Sequence, residues 1–112
     1  MDYQQMLQQL LQFRDERDWQ QFHNSKNLAI AISIEAAELN ELFLWKDVEA
    51  SEKVDLANIK EELADVLSFA FLLAEKHGLN PFEIVSEKIQ QNALKYPMDK
   101  AKGKSDKYTD LK

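Results

Sequence analysis

The chain has 112 residues, of which 45% are hydrophobic and 30% charged, with only two glycines and two prolines; this fits one small domain and favours long helices over a turn-rich β fold. The absence of cysteine excludes disulfides, thiol nucleophiles and thiolate-held zinc, so any metal must be held by oxygen or imidazole. A formal net charge of -6 argues against a general nucleic-acid binder.

A first helix is predicted from about Asp2, a good N-cap, to about Arg17, with Met6, Leu7, Leu10, Leu11 and Phe13 at helical spacing. Residues 17–26, RDWQQFHNSK, break that pattern and read as an ordered loop whose Asn-Ser pair can cap the next helix. The second helix is expected over Lys26 to Trp45, because Leu28, Ile32, Glu35, Leu39 and Leu42 fall on one stripe, with Glu35 where an apolar residue would be expected. A third helix is expected after Ser51 as N-cap, closed by Gly78 as the residue beyond its C-cap. Its stretch LADVLSFAFLLA, residues 63–74, is apolar on every side except for Asp65 and Ser68, which calls for burial all round. Asn80 as N-cap and Pro81 at N1 begin a fourth helix that stops before Pro97, and the last fifteen residues read as irregular. The expected fold class is therefore all-α, a four-helix bundle completed by oligomerisation.

No apolar run approaches the ~20 residues that span a bilayer, and MDYQQMLQQL lacks a basic segment followed by an apolar core. The expectation is a soluble, cytoplasmic protein without membrane or nucleic-acid partners. From Lys95 onward six lysines face three aspartates, so an acidic body ends in a basic tail, a pattern that suits either a phosphorylated ligand or a solvated terminus.

The second and third helices each carry an acidic pair at i, i+3, Glu35-x-x-Glu38 and Glu62-x-x-Asp65, and residues at that spacing share a helix face. In an antiparallel hairpin the centres of the two pairs differ in height by roughly 5 Å at a rise of about 1.5 Å per residue, so the four carboxylates can converge. An unpaired buried carboxylate either protonates or finds a cation. Lys46, Lys53 and Lys60 fall in the loop or on the opposite side, which leaves a hard divalent cation, Mg²⁺ or Mn²⁺, as the candidate partner. Such pairs are also ordinary on solvated helix faces. Glu41 and Glu61 extend the clusters but fall off the converging face.

The spacing E-x-x-E, 23 intervening residues, E-x-x-D resembles the signature of the MazG-like all-α nucleoside triphosphate pyrophosphohydrolases. Within them the chain is most similar to the dCTP pyrophosphatase branch through ERDWQQFH (16–23), NLA (27–29), ELFLWK (41–46), EELADVL (61–67), KYP (95–97) and KYTDL (107–111). The resemblance implies Mg²⁺-dependent hydrolysis of a (deoxy)nucleoside triphosphate to the monophosphate and pyrophosphate. It implies Glu35, Glu38, Glu62 and Asp65 as metal ligands, with Glu38 favoured as general base, and Trp19, Phe22, His23 and Trp45 around the base. It also implies Asn27, Lys95 and Tyr96 near the phosphates, with Lys104, Lys107 and Tyr108 in a closing tail. Phe69 and Leu10 stand where the dCTP-specific relatives place a tyrosine and a histidine near the base, which puts strict dCTP selectivity in question. Two other readings stay open: a di-iron or di-manganese carboxylate bundle, which ordinarily needs Glu-x-x-His motifs absent here, and a non-enzymatic helical interaction module with surface acidic pairs.

Overall fold

The structure, a computed structural model, describes residues 1–112 and divides into two compact units, Met1–Gly78 and Leu79–Lys112. It is built from helices, and each boundary has a local cause.

In the first unit, α1 spans Tyr3–Glu16. Asp2 Oδ1 accepts from the Gln5 amide at 2.9 Å and the Gln5 side chain accepts from the Asp2 amide at 2.9 Å, a reciprocal cap worth about 1 kcal/mol. The expected loop is tighter than foreseen. Trp19–Phe22 make one turn of 3-10 helix after Asp18, which adopts a left-handed φ of 54°, and Asn24 then caps the next helix by accepting from Asn27 N at 2.8 Å.

Helix α2 covers Ser25–Glu41 and so ends four residues short of the expected Trp45. The amides of Leu42, Phe43 and Leu44 turn to the carbonyls three residues back, at 3.3, 3.0 and 3.2 Å, which tightens the chain until Trp45 reverses it at φ 63°. A short α3, Val48–Ser51, follows on an Asp47 cap, and the long α4, Leu56–Lys76, begins on Asp55. Ser51 is therefore not the N-cap expected for the long helix. Its hydroxyl donates to Val48 O at 2.7 Å within α3, while the two aspartates, equally good caps, take the amides of Ala50 and Ala57. Gly78, at φ 66°, closes α4 in the left-handed conformation that glycine adopts without steric cost.

Helices α2 and α4 pack along each other as a hairpin, and its antiparallel sense is fixed by Ser25 at the start of α2, whose Oγ lies 2.9 Å from His77 Nε2 at the end of α4. Leu28 is the most deeply buried side chain, 2% exposed, and its removal from water contributes about 1.5–3 kcal/mol. Leu72 and Ala74 of α4 and Leu7 of α1 complete the buried apolar set. Helix α1 lies on α4 through an edge-to-face contact of Tyr3 with Phe71, centroids 5.6 Å apart, and an ion pair of Arg14 with Glu75 at 3.6 Å. The expectation of all-round burial for residues 63–74 is not met within one protomer. Leu63 and Leu67 on α4, and Ile30 and Ile34 on α2, are exposed, and each pair recurs at the i, i+4 spacing of one helix face.

The second unit holds α5, Pro81–Lys95, which starts where the sequence indicates. Asn80 Oδ1 accepts from Phe82 N and Glu83 N at 2.9 and 3.2 Å, with Pro81 at the first position. The terminal segment is less irregular than its sequence suggests, since Met98–Ala101 form α6 and Tyr108–Asp110 a 3-10 turn.

Candidate metal and nucleotide site

The hairpin brings Glu35 of α2 together with Glu62 and Asp65 of α4, and one oxygen from each lies within 4.8 Å of the others. Three helical carboxylates at this separation repel one another strongly without a counter-charge. Glu35 Oε2 and Glu62 Oε2 are buried and accept no hydrogen bond. Burial, then a shared proton and charge from Glu38, then the charges of Asp65 and Glu62, push the Glu35 carboxyl up to about 7. The Glu62 carboxyl is also raised, first by burial and next by Glu38. Glu38, one helical turn beyond Glu35, thus adjoins the cluster without joining its tightest three-atom group. Orphaned buried carboxylate oxygens on an all-oxygen donor set fit a hard divalent cation such as Mg²⁺ or Mn²⁺.

A cavity of about 460 Å³ opens beside the cluster, with Glu35 and Asp65 in its wall, a size suited to a small ligand. Its apolar wall includes Leu10, Phe13, Trp19, Phe69 and Leu72. Phe13 and Trp19 meet edge to face with centroids 5.7 Å apart, as do His23 and Phe69 at 6.2 Å. His23 lines the same cavity; its buried Nδ1 has no partner, and burial followed by the nearby Arg14 charge lowers its pKa, keeping the ring neutral at pH 7.

Among the residues expected around the base, Trp19, His23 and Phe69 therefore share one cavity with two of the carboxylates, whereas Phe22 and Trp45 do not line it. Trp45 is 94% exposed, because α2 ends before reaching it and the turn at φ 63° carries the indole outward. Asn27 donates from Nδ2 to Phe22 O at 3.1 Å and so pins the 3-10 turn that carries Trp19. In the second unit Lys95 Nζ lies 5.0 Å from the Tyr108 ring centroid, and Tyr96 meets Tyr108 edge to face at 6.0 Å, so these three residues form one group. Arg14, with a side chain only 10% exposed, lines the cavity too and was missed in the sequence, where an arginine near a helix end reads as solvated.

Helical architecture with a carboxylate cluster beside an aromatic-walled cavity defines an all-α protein whose clustered oxygen donors fit a divalent cation. The same fold occurs in the crystal structure of a pyrophosphatase from Archaeoglobus fulgidus, with a TM-score of 0.81 and 40% identity, covering 84% of this chain and 91% of that one. Residues 30–111, which include all four acidic residues of the two pairs, match the model of the MazG-like family, and the chain belongs to that family. It is 39% identical over 105 residues to dCTP pyrophosphatase 1 of Mus musculus and 39% identical to that of Homo sapiens, in each case over 89% of this chain. The chain spans 62% of the length of these curated relatives.

Proposed function

We propose that this protein hydrolyses (deoxy)nucleoside triphosphates to the monophosphate and pyrophosphate, with Mg²⁺, or Mn²⁺ in its place, at the carboxylate cluster. The convergence of Glu35, Glu62 and Asp65 within 4.8 Å beside a cavity walled by aromatic rings carries this reading. The likeness to dCTP pyrophosphatases and to an archaeal pyrophosphatase supports it. Deoxynucleotides, dCTP or a related or modified dNTP among them, are the favoured substrates, and removal of unwanted dNTPs from the cytoplasmic pool is the role.

Glu35, Glu62 and Asp65, with Glu38 beside them, hold the cation, whose charge when bound offsets that of the triphosphate and favours ionisation of a nearby water. Glu38 takes the proton of the water that attacks the α-phosphorus. A bond forms from the water oxygen to that phosphorus, the bond to the α–β bridging oxygen breaks, and pyrophosphate leaves. Trp19 and Phe69 flank the base, since flat rings suit stacking. Phe22 and Trp45 belong to the nucleotide site only in an arrangement where they reach the ligand, and Asn27 is assigned to the phosphates.

Self-association completes the bundle. The exposed stripes Ile30/Ile34 and Leu63/Leu67 on the two hairpin helices support a homo-oligomer. The reading is tested by assaying pyrophosphate release over the common NTPs and dNTPs with Mg²⁺ for the wild type and Glu38→Gln. The variant should lose turnover while keeping its helical circular dichroism; full activity in it would remove Glu38 from the site.

A further inference from the structure

The cavity that adjoins the carboxylates is apolar apart from a few groups, and these decide what a bound base can satisfy. Glu35 and Asp65 occupy the metal-holding wall. Ser68 already donates its hydroxyl proton to Ala64 O at 2.8 Å. Burial lowers the His23 pKa and favours its uncharged ring, whose buried Nδ1 is without a partner. Arg14 is the one cation in the lining, and only 10% of its side chain is exposed.

The guanidinium is anchored but not used up. Its Nε donates to Asp15 Oδ1 at 2.8 Å, and Nη1 lies 3.6 Å from Glu75 Oε2, an ion pair longer than a hydrogen bond. Of five N–H donors, one makes a hydrogen bond within the protein. Two carboxylates thus hold the group, which borders both this cavity and a second one lined by Glu75 and Lys76, and its remaining donors are left for a ligand. Leu10, Phe13 and Arg14 follow i, i+3, i+4 on α1, which explains why the arginine shares a face with the apolar wall.

A base in such a cavity loses its water, and polar atoms left without partners would weigh against binding. Two adjacent arginine donors match two adjacent acceptors. Cytosine offers that pair at O2 and N3, and guanine at O6 and N7. In adenine the ring acceptors N1 and N7 each neighbour the donating amino group, and in thymine and uracil a donating N3–H separates the carbonyls.

Resting on the pyrophosphohydrolase reading above, we infer that Arg14 determines base specificity by presenting its donor fork to the paired acceptors of cytosine or guanine. The base lies between the aromatic walls with its acceptor edge toward α1. Adenine and thymine nucleotides leave part of the fork unmatched.

The test compares kcat/KM for dCTP, dGTP, dATP and dTTP in the wild type, Arg14→Met and Arg14→Lys. Methionine keeps an unbranched apolar stem, and Glu75, 35% exposed, can remain hydrated without its partner; lysine keeps the charge but not the fork, and serves if the first variant does not fold. The wild type should prefer dCTP or dGTP, and either variant should shrink that preference by roughly 5- to 100-fold, the discrimination a bidentate arginine contact provides. A purely structural Arg14 would lower all four rates together. An unchanged base ratio in the folded variants, or a wild-type preference for dATP or dTTP, would overturn the inference while leaving the hydrolytic reading intact. Absence of hydrolysis of any triphosphate by the wild type would overturn both.

Discussion

Replacing Glu35 with glutamine should stabilise the metal-free protein and, in the same molecule, remove its response to Mg²⁺. Folding raises the Glu35 carboxyl from 4.5 to about 7, so the folded state binds more protons than the unfolded chain between those values. Stability of the metal-free protein must then fall as pH rises through that window, with the full cost present above pH 7. A displacement of that size would amount to ~3 kcal/mol in a wholly buried group; solvent at this cleft reduces it to about 1 kcal/mol. For a domain of this size about 1 kcal/mol moves Tm by roughly 3–5 °C. Thermal unfolding in EDTA at pH 5 and pH 8 should show the wild type losing stability at the higher pH and Glu35→Gln losing less, so that the variant melts higher at pH 8. Added Mg²⁺ should raise the wild-type Tm at pH 8, where it replaces few protons, and should raise that of the variant far less. A variant that melts below the wild type at pH 8 in EDTA, or one that keeps the full Mg²⁺ response, would refute the picture of a repelling cluster relieved by a cation.

Trp45 is held at φ 63° with its indole 94% exposed, so Trp45→Gly should raise stability by about 1 kcal/mol in a chemical unfolding titration, while a rise in KM would show the indole engaging the nucleotide. If the exposed stripe is the contact of the proposed homo-oligomer, the wild type should have a mass above one chain by light scattering and Leu67→Glu should lower it; an unchanged mass would place the interface elsewhere.

Much of this fold was legible because its punctuation is local. Asp2, the Asn80-Pro81 pair and Gly78 act through hydrogen bonds or φ preferences within three residues, and each marks the boundary it suggests. The connection between the hairpin helices was less legible, since Asp47, Ser51 and Asp55 are all competent caps and their order of use depends on the path the chain takes between α2 and α4. The end of α2 carries no glycine or proline, so its stop at Glu41 had no local signal. For the candidate site, two i, i+3 pairs on one hairpin were enough to place Glu35, Glu62 and Asp65 together. Arg14 gave no such warning: a cation in the last turn of an amphipathic helix is ordinary, and only the packing of α1 on α4 encloses it.

The most direct test of the central claim is identification of the products formed from dCTP by ³¹P NMR, with Mg²⁺ and with EDTA. Hydrolysis between the α- and β-phosphates at a metal-loaded cluster requires dCMP and pyrophosphate in equal amounts with Mg²⁺ and no turnover in EDTA. Release of dCDP and orthophosphate, or undiminished turnover in EDTA, would contradict it.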